Sequence, residues 1–187
     1  MNIALKSMRP ALVAFAAMTV VCGGLYTAIV TGIAQACFPE KANGSILTVT
    51  APGGAKRDVG SALIAQDFSK PGYLIGRPLG TTNLSPECEK QRALVQGRID
   101  RWHALDPSDV SDIPMDLVTA SGSGVDPNVS PEAAEYQVGR IARERKMSED
   151  AVRNIIARNA RGRFLGIFGE PSVNVLEVNL ALDGLSW

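Results

Sequence analysis

The residue types that carry most enzyme chemistry are sparse in this chain. His103 is the only histidine, and it follows Trp102 at the end of an amphipathic pattern, where a surface position is expected. His103 and Cys88 stand apart from other ligand types, so no zinc-binding spacing is present. Asp116 and Asp126 have no close acidic companion, which gives little support to catalysis by paired carboxylates. The sequence therefore predicts no catalytic residue and no metal or cofactor of the chain's own.

A serine- and glycine-rich run offers the one candidate binding loop. Its members are Ser121, Gly122, Ser123 and Gly124, followed by Asp126. Backbone N–H groups in such a loop could face an anion. The run lacks the Lys-Ser/Thr pair of a phosphate loop and matches neither GxGxxG nor GxSxG. A turn in which glycine supplies a positive φ explains the same residues, and both interpretations remain open.

A long uncharged segment near the N-terminus predicts a transmembrane helix. No charged residue lies between Ala11 and Phe38. The apolar part, residues 12–34, is long enough at about 1.5 Å per residue to cross about 30 Å of hydrocarbon. A cleaved signal peptide is the main alternative, because Ala34-Gln35-Ala36 resembles a cleavage site. The apolar run exceeds the roughly 7–15 residues of a signal peptide, which favours the anchor. A lipid-modified Cys22 or Cys37 fits less well.

Charge distribution predicts the orientation of this helix. Lys6 and Arg9 precede it, whereas Glu40 and Lys41 cancel after it. By the positive-inside rule, residues 1–10 are cytoplasmic, residues 11–34 form the transmembrane helix, and residues 35–187 form an extracytoplasmic domain. That domain contains all of the acidic residues and all basic residues except Lys6 and Arg9. Its slightly negative charge gives no case for binding nucleic acid.

Periodicity predicts that the exterior domain is α+β. Ser130-Pro131 and Ser148-Glu149 have the composition of helix starts. In the helix after Ser130, Arg140 is expected to face water. Cys37 and Cys88 are the only two cysteines that could pair outside the membrane, and free thiols are the simpler expectation. The full prediction comprises strands at Ile46–Thr50, Phe164–Phe168 and Val173–Leu182, and helices at Gly60–Phe68, Glu87–Ala104 and after Ser130 and Ser148.

Several segments together resemble the C-subunit family of the Kdp potassium-transporting ATPase, a P-type pump. The densest match runs from Pro114 to Ser130 and contains the signature Val118-Thr119-Ala120-Ser121-Gly122-Ser123-Gly124-Val125-Asp126-Pro127. Gly60–Phe68, Pro71–Pro78 and Gly169–Leu180 extend the resemblance over nearly the whole chain. The segment after Pro78 is shorter here than in many members of the family, which puts any contact made by that insert in doubt.

The resemblance implies a non-catalytic subunit in a bacterial inner membrane. Its partners would be the lipid bilayer, a KdpA-like subunit that conducts potassium and a KdpB-like subunit that hydrolyses ATP. The family is proposed to raise the ATP affinity of the B subunit. A nucleotide contact is attributed to a glutamine after the Ser-Gly motif, which here is Gln137. The binding residues that the resemblance implies are therefore Gln137, Ser121–Gly124 and Asp126.

The predicted topology conflicts with a direct nucleotide contact. It places Gln137 outside the cell, whereas ATP is cytoplasmic. We therefore expect the exterior domain to brace the outer mouth of the A subunit and any effect on ATP to be indirect. The alternative function is a membrane-anchored binding module that uses residues 121–126 to hold a small extracellular ligand.

Overall fold

A computed structural model describes residues 3–51 and 53–187 of the chain. The chain divides into two compact units. The first ends at Ser45 and the second runs from Ile46 to Trp187.

The first unit is helical. It contains α1 (Ile3–Met18), a π-helical stretch (Thr19–Tyr26), α2 (Thr27–Cys37) and the short α3 (Pro39–Ala42). In the wider π turn, the Thr27 hydroxyl donates to the carbonyl of Cys22 at 3.1 Å. Residues Ser7–Cys37 form a 31-residue helix with a mean hydropathy of 2.0 in its apolar window, and that window has no buried residue. The helix is therefore long and apolar enough to cross a bilayer, as the sequence predicts.

Two small antiparallel sheets lie in the second unit. β1 (Ile46–Thr50) pairs with β2 (Lys56–Ser61). The other sheet has the order β3–β5–β4, from Asn128–Val129, Ser172–Asn174 and Ala160–Arg161 respectively. The strand at Ile46–Thr50 is thus confirmed.

Six helices complete the described part of this unit. They are α4 (Glu89–Leu105), α5 (Met115–Val118), α6 (Pro131–Tyr136), α7 (Val138–Arg145), α8 (Glu149–Arg158) and α9 (Val175–Leu182). Ser130 caps α6 by accepting from the N–H of Ala133 at 3.1 Å, and Ser148 caps α8 by accepting from Ala151 at 3.2 Å. Both helix starts predicted from the sequence are confirmed, and so is the mixture of helices and sheets.

One large apolar core holds these helices together. Trp102 of α4, Ile141 of α7, Val152 of α8 and Val178 of α9 are all buried in it. A smaller cluster of Val49, Leu176 and Leu180 packs β1 against α9. Because α9 contributes to both clusters, it is apolar around most of its circumference.

The predicted helix at Gly60–Phe68 is wrong. Strand β2 continues to Ser61, and the residues after it form a turn and then irregular chain. Gly60 has φ +151°, outside the helical region. The space beside its Cα is filled by the amide of Gln66, which donates to the carbonyl of Val59 at 2.7 Å.

The two predicted C-terminal strands are wrong over most of their length, and only Val173 and Asn174 lie in a strand. Phe164–Phe168 forms a tight hairpin with a single bridge between its end residues. Val173–Leu182 begins in β5 and then becomes α9, because the Asn174 side chain accepts from the N–H of Glu177 at 3.1 Å and caps the helix.

Arg140 faces the interior instead of water, with only 3% of its surface exposed. All three cysteines are free, so the Cys37–Cys88 pair is not formed.

Candidate functional site

The Ser-Gly loop bonds mainly to itself. The hydroxyl of Ser121 accepts from the N–H of Gly124 at 3.0 Å, and the hydroxyl of Ser123 accepts from Val125 at 3.2 Å. The carboxylate of Asp126 accepts from the N–H of Asn128 at 3.0 Å. These donors already have acceptors, so they are not available to an anion without rearrangement.

Gly124 is needed for the shape of the loop. Its φ is +71°, and its carbonyl accepts from the N–H of Gly80 at 2.8 Å. A Cβ at this position would lie 2.8 Å from the carbonyl carbon of Gly80. Gly122, in contrast, is exposed and has open space beside it. The turn interpretation of the glycines therefore applies to Gly124 and not to Gly122.

On one side of the loop, a single arginine faces two carboxylates. The guanidinium of Arg77 lies 3.6 Å from Asp126 and 4.0 Å from Asp116. It also donates to the carbonyl oxygens of Thr119 and Ala120, at 3.4 Å and 3.3 Å. Because its charge faces two carboxylates, the side of the loop at Asp116 and Asp126 does not offer the positive potential that an anion prefers.

A groove of about 610 Å³ extends from Asp116 and Asp126 to two further carboxylates, Glu132 and Glu170. Within the part of the chain that the structure describes, no group of His, Cys, Asp or Glu is arranged to hold a metal ion.

Gln137 is completely buried, and its side chain is fully used inside the protein. Its Oε1 accepts from the N–H of Ile75 at 2.8 Å and from Arg140 at 2.6 Å. Its Nε2 donates to the carbonyls of Ile75 at 2.9 Å and Ala133 at 3.1 Å. The amide thus pairs with both backbone polar groups of Ile75, as a neighbouring strand would do.

Asn179 binds Leu74, the residue before Ile75, in the same way. Its Oδ1 accepts from the N–H of Leu74 at 2.8 Å, and its Nδ2 donates to the carbonyl of Leu74 at 2.9 Å. We call residues 71–75 the strap. No regular helix or strand includes the strap. Its backbone hydrogen bonds at Leu74 and Ile75 are instead made by two buried amide side chains, Asn179 of α9 and Gln137 of the α6–α7 junction.

Arg140 completes this buried polar network. Its guanidinium donates to the carbonyls of Pro71 and Tyr73 and lies 5.7 Å from the centre of the Trp102 ring. Burial lowers the pKa of Arg140 to about 10, so the side chain remains charged at neutral pH. The strap carbonyls and the Gln137 oxygen solvate that buried charge.

The structure brings some of the predicted site residues together and not others. The loop residues Ser121–Gly124 and Asp126 lie together beside Arg77. The hydrogen bonds of Gln137 run instead to the strap and to the neighbouring helices α6 and α7. Sequence reasoning missed Asn179, whose only signal was a polar residue inside an apolar run. His103 is exposed, as expected.

These features define a class of protein: an apolar helix of membrane-spanning length followed by an α+β body whose most distinctive polar residues bond to its own backbone. The family described as "KdpC: K+-transporting ATPase, c chain" matches residues 8–184. The chain belongs to this family.

Individual relatives agree over nearly the full length. A protein of Listeria monocytogenes serotype 4a (strain HCC23) named "Potassium-transporting ATPase KdpC subunit" is 54% identical over 180 residues, covering 95% of each chain. Proteins with the same name from Sorangium cellulosum (strain So ce56) and Janthinobacterium sp. (strain Marseille) are 45% and 46% identical, covering 95% or more of each chain.

Proposed function

We propose that the chain is a non-catalytic membrane subunit of an ATP-driven potassium uptake complex, needed for the assembly and stability of that complex. Membership of the KdpC family over residues 8–184 carries this proposal. The described residues support the proposal, since the side chains of Ser121 in the Ser-Gly motif and of Gln137 after it form hydrogen bonds within the fold. Catalysis would then come from a KdpB-like subunit and potassium conduction from a KdpA-like subunit.

The apolar helix is the first surface through which the chain would bind these partners. Small residues let neighbouring helices approach closely in a bilayer, where apolar burial alone gives no driving force. Gly24 and Gly32 are exposed on the helix and have no atom within 4 Å of a Cβ built on them. A partner helix could pack against the backbone at these positions.

We further propose that any effect on ATP affinity is indirect. A direct nucleotide contact by Gln137 would require the loss of four internal hydrogen bonds. The positive charge before the helix and the balanced charge after it favour a cytoplasmic N-terminus. That orientation would keep residues 35–187 away from cytoplasmic ATP. In this proposal, the family's effect on the ATP affinity of the B subunit is exerted through the fit of the subunits.

Replacement of the native subunit tests the assembly role. A cell that lacks its own C subunit should regain growth at limiting potassium when it expresses this chain with compatible partners. The chain should then copurify with the ATP-hydrolysing subunit. Gly32→Leu should weaken copurification, whereas Gly97→Leu, at an open position on α4, should not. The proposed function would be refuted if the chain did not copurify and if potassium-stimulated ATP hydrolysis were the same with and without the chain.

Thiol labelling tests the topology. Because Gln137 is buried, a cysteine there would be hidden from a reagent on either side. Gly122 is exposed and open, so Gly122→Cys in a chain without other cysteines is a suitable reporter. Labelling by a membrane-impermeant reagent in intact cells is the expected result. Labelling only after the cells are opened would place the loop in the cytoplasm and make a nucleotide contact plausible again.

A further inference from the structure

Four strongly exposed apolar side chains of the second unit lie next to each other in one hairpin. The hairpin joins β4 to β5, and its tip is Phe164–Phe168. Phe164, Leu165, Ile167 and Phe168 are 71%, 73%, 74% and 63% exposed. Single exposed apolar residues are ordinary in proteins, but a contiguous group of this size marks a contact surface.

The backbone N–H groups of the tip are mostly satisfied within the hairpin. Phe164 and Phe168 exchange backbone hydrogen bonds of 2.8 Å and 3.0 Å, and the N–H of Ile167 also donates to Phe164 at 3.2 Å. The N–H of Gly166 donates to the carbonyl of Arg163 at 3.1 Å. Four of the five N–H donors of the tip therefore have acceptors within the hairpin, which lowers the cost of bringing the tip close to an apolar medium.

Local conformation does not explain the leucine at the turn. Leu165 and Gly166 have φ values of +54° and +74°, which matches a tight turn that favours asparagine or glycine at both central positions. A leucine with positive φ is disfavoured, and here its side chain gains no intramolecular burial in return. The apolar side chain of Leu165 is therefore better explained by a contact outside the chain.

We propose that this tip inserts into the membrane interface of the bilayer in which the apolar helix is anchored. Each of the four side chains is at least 63% exposed. A fluid apolar medium can surround such side chains, whereas a groove on a protein covers mainly one side of a hairpin. Tethering by the helix keeps the bilayer at a high effective concentration, so a shallow insertion suffices. The inference depends on the membrane anchor but not on the role in the pump.

Electrostatics favour the apolar part of the lipid over its headgroups. Arg163 forms an ion pair with Glu170 at 2.9 Å, and Arg161 forms one with Glu177 at 2.5 Å. The arginines at the base of the hairpin are thus already paired with carboxylates, and the tip itself carries no charge. Insertion should therefore occur in vesicles of uncharged phosphatidylcholine and should depend little on salt.

Fluorescence quenching by lipid tests the insertion in the full-length chain. An environment-sensitive thiol dye is attached at Leu165→Cys in a chain without other cysteines, reconstituted in phosphatidylcholine vesicles with or without spin-labelled lipid. The matched control is Val110→Cys, an isolated apolar residue that is 95% exposed in a different loop. Native Cys22, kept as the single cysteine in a third protein, reports whether the anchor itself is in lipid.

The expected result is loss of most of the emission at residue 165 and at Cys22, with little change at residue 110. Adding Ile167→Asp should restore emission at residue 165 while the thermal midpoint stays that of the parent. Quenching at Cys22 without quenching at residue 165 overturns the proposal and leaves the anchor intact. Shielding of residue 165 from water only when partner subunits are present, without quenching by lipid, also overturns it and assigns the tip to a protein interface. No quenching at Cys22 refutes the anchor itself.

Discussion

Replacing Gln137 by alanine separates a structural role from a nucleotide contact. The substitution leaves the N–H and carbonyl of Ile75 without their partner and removes one acceptor from the buried Arg140. An unpaired buried donor costs about 1–3 kcal/mol, and weaker solvation of a buried charge adds a comparable amount. With the cavity left by a fully buried side chain, we expect a loss of about 3–5 kcal/mol in the free energy of unfolding.

For a domain of this size, that loss corresponds to a fall of about 10–15 °C in the unfolding midpoint. Emission from Trp102, which is buried in the core beside Arg140, follows the transition in the full-length chain in detergent. The matched control is Gln96→Ala, because Gln96 is exposed on α4 and bonds only to Asp100. Its expected effect is within about 0.5 kcal/mol.

Asn179→Ala provides the decisive comparison. Asn179 clamps Leu74 as Gln137 clamps Ile75, so both variants should loosen the strap and lower the midpoint to a similar extent. In the assembled complex, any change in the KM for ATP should then be similar in the two variants. If Gln137→Ala leaves the midpoint unchanged while raising the KM for ATP, and Asn179→Ala does not raise it, the structural reasoning is refuted and a direct contact is supported.

Two further predictions concern the loop and the α4 terminus. Gly124→Ala should destabilise the protein by about 1–3 kcal/mol in chemical denaturation, because of its positive φ and the contact with Gly80, whereas Gly122→Ala should have little effect; equal effects would contradict the turn interpretation. Burial raises the pKa of Asp106, but hydrogen bonds from Ser108 and Arg143 outweigh it, so the pKa lies below its usual value. A carboxylate with a lowered pKa stabilises the fold above its unfolded pKa of about 3.9, and this stabilisation is lost as the pH falls below that value. Asp106→Asn should therefore be less stable than the parent at neutral pH and should show a flatter decline in its urea midpoint between pH 5 and pH 3; an unchanged slope would contradict the assigned shift.

Local sequence signals were sufficient where one local interaction decides the structure. The sequence predicts Ser130 and Ser148 as caps because a serine hydroxyl before a helix can accept from a free N–H of the first turn. The length and absence of charge in residues 11–34 likewise predicted the apolar helix. The α4 helix was predicted to within about two residues of its observed bounds.

The errors arose where tertiary contacts overrode periodicity. The run after Ser172 is buried on nearly all sides, so its apolar pattern did not distinguish strand from helix. The signal that could have decided was local: Asn174 with Glu177 three residues later before an apolar run is the signature of a helix start. Arg140 was assigned to the solvent face because its partners, the strap carbonyls and Trp102, are distant in sequence.

The structure gives the family motif a physical role that sequence matching alone could not supply. Residues 62–88, all of them described, contain no regular helix or strand, so their backbone must find partners elsewhere. Gln137 and Asn179 bond to the strap, and Gly124 bonds to Gly80 further along the same stretch. Residues at the Ser-Gly motif and at the α6–α7 junction thus fix one long irregular segment. Loosening either attachment should alter the surface this segment presents to a partner, which allows a buried glutamine to affect the activity of the complex without contacting a nucleotide.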